Sequence, residues 1–449
     1  MSFSGHCGID LGTTNSSISI LANGHSRVLD IDPDNSFNPK VIPSLIYINP
    51  QGNIEIGSKA TARYLWDITN IAPKPPHLIF TGRYIKAFGP SGASGVGKPI
   101  EVPEIIEIDD SGRGRLLQSL KSVLTSETFK GTSLFGKYYS LEDLLGLLIS
   151  QVKSRAETIL NYSLTSVTLG RPVRYVGNPA KEKLALARMT TIAKQSGFKT
   201  IKFEYEPVGA ALSFGIDATA KKNILVFDFG GGTLDTCIMQ FPQKKVLSVS
   251  GRPIGGDLIN SHIVKSFLLQ YFGKNVVISG KLDLPHFYLD AISLNWYQMT
   301  LSKNVKFIQA LDNFIFKADD PQPIINLKNL IVNDLGYDFF HSVDATKSDL
   351  SFHPVSQFIF DKKIVYIKEV ISRKNFEKSI SQLVQETSDC LLETLKLANL
   401  KANQIDQVLL TGGSSKIPIF QELLKSTFGS EKLYLSDPFT SVASGLSLA

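Results

Sequence analysis

One short device occurs twice in this chain and constrains its fold more than any other feature. It is an apolar strand that ends in aspartate and runs into a glycine-threonine turn: Ile9-Asp10-Leu11-Gly12-Thr13-Thr14, and again Phe227-Asp228-Phe229-Gly230-Gly231-Gly232-Thr233. The two aspartates stand 218 positions apart, about half of the 449 residues. A chain that repeats one supersecondary unit half its length later is expected to build two similar lobes, each presenting the same loop to a shared cleft. In the first copy, residues 7–11 and 16–21 are apolar and β-prone and are joined by Gly-Thr-Thr-Asn, which predicts a hairpin with a glycine-rich tip.

Such a turn lets successive backbone N–H groups point at one anion, and threonine hydroxyls add donors without adding charge. Two of them face to face suit a polyphosphate. Asp10 and Asp228, at the strand ends, suit a hydrated Mg²⁺, an ion that keeps several waters and needs few carboxylates. The stretch Gly92-Ala93-Ser94-Gly95-Val96-Gly97-Lys98 matches a Walker pattern, but Pro99 stands where the metal-binding hydroxyl belongs and no apolar strand leads into it, so it is rejected.

Composition narrows the classes. Lysine plus arginine (47) exceeds aspartate plus glutamate (41) by only six, too thin an excess to argue for nucleic acid. The longest apolar run, residues 144–149, is far short of the roughly 20 needed to cross a bilayer, so no membrane insertion is expected. Three widely spaced cysteines (Cys7, Cys237 and Cys390) form no CxxC pair, which argues against a disulfide framework or cysteine zinc site and for a reducing cytoplasm. The N-terminus has no basic region followed by an apolar run, so no secretion signal is expected.

Between the two devices, strand and helix alternate. Seven glycines between residues 82 and 114, with interspersed prolines, predict a loop excursion. Ser140 caps a helix with apolar positions from Leu141 to Leu160, a strand covers Val167 to Leu169, and Pro179 opens a helix that Gly197 stops. Asn223 to Phe229 is a near-continuous apolar run of the kind buried in a mostly parallel sheet.

Further motifs then fall in order: GIDLGTTNSS (8–17), YEPVGAAL (205–212), VFDFGGGTLD (226–235), PIGGD (253–257), ISRKNFE (371–377), LLTGGSSKIP (409–418) and DPFTSVASGL (437–446). This set resembles the nucleotide-binding domain of the DnaK-like heat-shock chaperones, and most of all truncated bacterial members that keep a Gly-Arg-Pro, here residues 170–172. The resemblance implies an α/β, actin-like ATPase fold, two lobes with duplicated mixed-sheet cores around a nucleotide cleft. Lobe I would cover 1–215, with an upper insertion at about 40–160 and a C-terminal helix at about 438–449 returning to it; lobe II would cover 222–435, with an upper insertion at about 258–370.

The resemblance also assigns roles for ATP or ADP with Mg²⁺. Asp10 and Asp228 hold the metal; Gly12, Thr13, Thr14, Asn15, Gly230, Gly231, Gly232 and Thr233 hold phosphates, with Gly255 and Gly256 beside them. Glu206 stands near the attacking water, and Asp235 and Thr233 belong to that catalytic network, although Glu206 is also placed to cap the following helix and Asp235 to satisfy backbone donors. Asp344, Lys347, Ser348 and Ser351 lie on the helix that grips the nucleoside, and Gly412, Gly413, Ser414 and Lys416 form the loop opposite. Ser348 and Lys416 stand where the family has arginines. The catalytic cation is expected at Lys86, with Arg83 as the rival.

The match ends near Ala449 without the linker and peptide domain of full chaperones, so peptide refolding by this chain alone is not expected. The expected function is a slow, Mg-dependent ATPase acting as a chaperone-like nucleotide switch. The aromatic-rich interval 258–340 is either an enlarged core or a surface for a protein partner. The alternatives are a sugar-type small-molecule kinase on the same fold and a non-hydrolysing regulatory or filament-forming protein.

Overall fold

A computed structural model of the protein describes residues 3–88, 99–108, 110–175, 179–214, 221–294, 296, 299, 302–437 and 439–449. The rejected Walker-like stretch, at 92–98, lies outside the described residues.

The duplicated device sits in two sheets of the same design. In the first, the order is Thr200–Tyr205, Ser166–Arg171, Phe3–Leu11, Asn15–Ala22, His25–Val28, with Ile42–Pro43 pairing beside Asn15–Ala22. In the second it is Leu433–Leu435, Gln407–Thr411, Lys222–Phe229, Leu234–Phe241, Lys245–Arg252. Each sheet therefore has an antiparallel three-strand meander whose first strand also pairs in parallel with a later one. The apolar run 223–229 is buried as expected, but in a mixed sheet: its partner across the turn, Leu234–Phe241, is antiparallel because only three residues separate it from Gly230.

Local signals explain the flanking helices. Ser140 accepts the N–H of Asp143 while the Asp143 carboxylate accepts that of Ser140, a capping box that starts the helix Leu141–Leu160. Its Leu144, Leu145, Leu148, Ile149 and Val152 are buried in one cluster with Ile9, Ile18, Val167 and Leu169 of the first sheet. The helix Pro179–Gln195 packs beside it and ends before Gly197, at φ 85°. The short helix Ser441–Leu446 packs on Glu206–Phe214 and on the first sheet, although it comes at the end of the chain.

Within the glycine-rich excursion, residues 82–88 and 99–108 are strand rather than loop. His77–Phe88 and Pro99–Ile108 form a long antiparallel hairpin. Ile79, Ile85, Ile100, Val102, Ile105, Ile106 and Ile108 favour strand, and four of the seven glycines fall between the two strands in sequence. The interval 258–340 is largely helical and supplies core: Phe272, Trp296, Phe307 and Phe339 are buried, and among its large aromatics Phe287 and Phe316 are exposed. No helix among the described residues is long and apolar enough to cross a membrane.

Candidate functional site

The two turns meet. A Cβ on Gly232 would stand 2.9 Å from the Thr13 hydroxyl, and one on Gly231 would stand 3.3 Å from the Thr14 methyl, so any side chain there would have to displace the facing threonine. Strand register makes the two turns equivalent: Asp10 pairs with Ser17 and Asp228 with Asp235. Behind the second turn, the Gly230 carbonyl accepts from the Gly256 N–H (3.0 Å) and from the Ser414 hydroxyl (3.0 Å), while the Gly231 carbonyl accepts from the Asp257 N–H (2.8 Å). With its carbonyls engaged at the back, the turn offers its amide edge to the cavity. Gly255 packs its backbone on Gly231, behind that edge. Gly412 adopts φ 77° and lies so close to the Phe229 carbonyl that a side chain would overlap it.

The cavity is lined by Asp10, Gly12, Thr13, Thr14, Asn15, Glu206, Asp228, Gly230 to Thr233, Gly412 and Gly413. The Asn15 amide donates to the Thr14 hydroxyl at 3.3 Å. Glu206 opens the helix Glu206–Phe214 directly after the strand Thr200–Tyr205, which aims its carboxylate across the parallel edge of the first sheet. There it meets a residue that motif reasoning missed: Lys121 Nζ lies 2.5 Å from Glu206 Oε1, and both side chains are 11% exposed.

Lys86 and Arg83 do not reach this place. Both are exposed on the hairpin, with Lys86 opposite Glu101, and neither lines the cavity. The strand that carries them pairs in a separate two-stranded sheet, whereas the short turn Leu120–Val123 brings Lys121 to the cavity lining. Ser122, Thr125, Pro172, Arg174, Tyr175 and Phe439 also line it unannounced. A sequence signal for Lys121 exists: a lone lysine among Leu116, Leu117, Leu120, Val123 and Leu124 is poorly placed to be a solvated surface charge.

Asp235 lies just outside the lining. It is 2% exposed and accepts the N–H of Val173 at 2.8 Å, tying the second sheet to the segment that follows a strand of the first. Its carboxylate thus satisfies a backbone donor, the other of its two expected uses.

The charges are crowded. Burial pushes Asp10 up to about 7, Glu206 adds to the shift and Lys121 opposes it. Asp228 is raised well above the carboxylate range by burial, then by Glu206, Asp235 and Asp10. Burial also pushes Asp235 up to about 7. Burial works to lower Lys121, but Glu206 and Asp10 outweigh it and hold the ammonium charged. Four carboxylates around one ammonium are a set that a divalent cation would relieve. Among the described residues no three His, Cys, Asp or Glu side chains converge as a direct ligand cage. Asp10 and Asp228, two carboxylates on one cavity beside the oxygens of the turns, fit Mg²⁺, an ion that needs few carboxylates and keeps several of its waters.

A second cavity continues from the first, sharing Thr14, Asn15, Gly230, Gly231, Gly413 and Phe439 with it. Its long wall is the helix Gly336–Phe352, which brings Asp344, Lys347, Ser348 and Ser351 to the cavity opposite Gly413, Ser414 and Lys416. Lys347 Nζ is 2.5 Å from Asp344 Oδ1, and Asn260 Nδ2 donates to the same oxygen at 2.9 Å. Burial tends to raise Asp344, yet Lys347 and these hydrogen bonds hold it below the usual carboxylate range. The Ser351 hydroxyl donates to the Lys347 carbonyl at 3.2 Å.

The model of the family described as "Hsp70 protein" matches residues 119–285 and 342–449. The chain belongs to the Hsp70 family. Its two duplicated mixed sheets are accordingly the actin-like ATPase fold of that family. It is similar to a mitochondrial-type heat shock protein 70 of Encephalitozoon hellem, 23% identical over 446 residues, covering 98% of this chain and 62% of that protein. It is also similar to the chaperone protein DnaK of Mycoplasma mobile, 26% identical over 445 residues (98% and 57%), and to one from Thermus thermophilus, 23% identical over 460 residues (98% and 60%). The chain thus spans about 60% of the length of these curated Hsp70 relatives. Lys121 lies just inside the matched region, whereas Arg83 and Lys86 lie before it.

Proposed function

We propose that this chain binds Mg²⁺–ATP between its two sheets and hydrolyses it slowly to ADP and phosphate, as the nucleotide switch of a chaperone-like Hsp70 protein. The observation that carries this reading is the close approach of Thr13 and Thr14 to Gly231 and Gly232 in the cavity that Asp10, Asp228, Glu206 and Lys121 also line. The opposed turns would bind the phosphates from both sides. Bound Mg²⁺, held through water by Asp10 and Asp228, would supply charge neutralisation on the phosphate oxygens. Glu206 would orient the attacking water and accept its proton, and Lys121 would stabilise charge developing on the transferred phosphoryl group. Lys121 would thereby take the role expected of Lys86. Asp235 would position the turn rather than touch substrate, and Asp344 with Lys347 would hold the ribose hydroxyls.

Two lobes divided near residues 215–222 would close on the nucleotide. Loss of the γ-phosphate removes contacts made only in the closed form, which is what lets hydrolysis shift the equilibrium. Incubating the protein with Mg²⁺–ATP and a panel of metabolites tests the reading. ADP plus free phosphate supports it; a phosphorylated metabolite would mark a kinase, and no turnover over hours a regulatory ATP-binding protein.

A further inference from the structure

The hairpin of His77–Phe88 with Pro99–Ile108 takes no part in lining the cavities, and it precedes the residues that the family model matches. Among the described residues its two strands pair only with each other. At the open end, Glu107 accepts the N–H of Val305 at 3.2 Å, which ties the hairpin to the start of the helix Val305–Lys317. A two-stranded ribbon is marginal in water unless a further strand or layer covers its apolar side.

Register sorts its side chains onto two faces. Residues directly opposite each other in an antiparallel pair share a face, and alternate residues along a strand return to it. Leu78 with Glu107, Phe80 with Ile105, Tyr84 with Pro103 and Lys86 with Glu101 therefore lie on one face. There Leu78, Phe80, Tyr84 and Ile105 are 50–64% exposed, and the rings of Phe80 and Tyr84 meet edge-on at 5.5 Å. A contiguous apolar patch with a charged margin marks an interaction surface.

Charge identifies the occupant. The first strand carries Arg83 and Lys86 and no carboxylate; the second carries Glu101, Glu104 and Glu107 and no cation. Pairing two copies edge to edge through the same strand would line up like charges, which opposes it. Stacking two copies face to face, about a twofold axis parallel to the strands, does the reverse: the first strand of each copy lies over the second strand of the other. Lys86 then meets the partner's Glu101 and Phe80 meets the partner's Ile105, each contact occurring twice. On the opposite face the register pairs Ile79 with Ile106 and Ile85 with Val102 carry no charge, so nothing there fixes a partner's orientation.

We propose that the face bearing Phe80, Tyr84, Lys86, Glu101 and Ile105 is a homodimer interface, in which an apolar centre is flanked by two reciprocal Lys86–Glu101 ion pairs.

Sedimentation velocity on the full chain over a wide concentration range tests it. The parent should pass from monomer to dimer and go no further, since a twofold contact closes on itself. Lys86→Glu and Glu101→Lys should each weaken dimerisation about 10-fold or more, because each sets like charges against one another at both ion pairs. An equal mixture of the two variants should dimerise like the parent, since one face then carries only carboxylates and the other gains a second cation; repulsion confined within one hairpin is not relieved by mixing. Tyr84→Asp should abolish the dimer, whereas Ile100→Thr, on the opposite face, should leave it intact. A parent that stays monomeric at every concentration overturns the proposal and leaves this face to a different protein. It is overturned equally by a mixture no more associated than its separate variants, by a dimer that Ile100→Thr weakens as much as Tyr84→Asp, or by assembly that continues past the dimer.

Discussion

Lys121 Nζ and Glu206 Oε1 are 2.5 Å apart in the floor of the cleft, joining a turn of three-residue pitch to the first residue of a helix 85 positions later. The pair places a proton acceptor and a fixed positive charge side by side, and both act on the buried Asp10 and Asp228.

Replacing Lys121 should therefore suppress turnover more than binding. Lys121→Met is expected to slow single-turnover ATP hydrolysis by about 10²- to 10³-fold, while ADP affinity changes little because ADP has no γ-phosphate. Lys86→Ala, on the exposed hairpin, should hydrolyse ATP like the parent. Equal rates in the parent and in Lys121→Met would remove the cation assignment.

Asp10→Asn and Asp228→Asn each subtract a charge from the group that would hold Mg²⁺ through water. Titrations of ADP with and without Mg²⁺ should show the parent gaining affinity from the metal and each variant losing most of that gain, on the order of 10- to 100-fold. If nucleotide affinity in the parent is the same with EDTA present, the metal reading fails.

Gly232 is where the two halves of the site touch. Gly232→Ala would set a methyl group 2.9 Å from the Thr13 hydroxyl and push the turns apart. ATP affinity should fall about tenfold or more, since both turns must reach the same phosphate chain. The unfolding midpoint should hardly move, because the turn is only partly buried.

Asp334 is one of the points where the two halves of the chain are joined. Its carboxylate lies 3.1 Å from Arg113 Nη1 and 2.8 Å from Lys303 Nζ, and its carbonyl accepts from the Tyr64 hydroxyl at 2.8 Å. All four residues are buried. Asp334→Ala leaves two buried cations without this carboxylate and is expected to cost about 3–5 kcal/mol of stability in urea unfolding. Faster ADP release in stopped flow should accompany it, because the contact spans the halves that enclose the cavity.

Much of this was open to reading in the chain itself. The hairpin at Gly12, the capping box at Ser140 and the apolar run into Asp228 are local: each depends on residues within a few positions of one another, and φ/ψ preference, capping and side-chain period act over that range. The glycine-rich interval shows where local reasoning fails. Glycine content predicted a loop, yet the isoleucines on either side pair across the intervening residues, and strand pairing is a property of two segments rather than one.

The same division runs through the site. The duplicated Asp-Gly-Thr device, its turn chemistry and the duplication of the sheets follow from the amino-acid sequence alone, because a short strand and a glycine turn carry their function in their own backbone. Which cation faces Glu206, whether Asp235 points into the cavity or at Val173, and which aromatic rings remain uncovered on the hairpin at 77–108 were decided by the tertiary structure. Those relations join residues tens to hundreds of positions apart. They are set by how two sheets and their helices pack to exclude water, and no pattern of spacing along the chain encodes that distance.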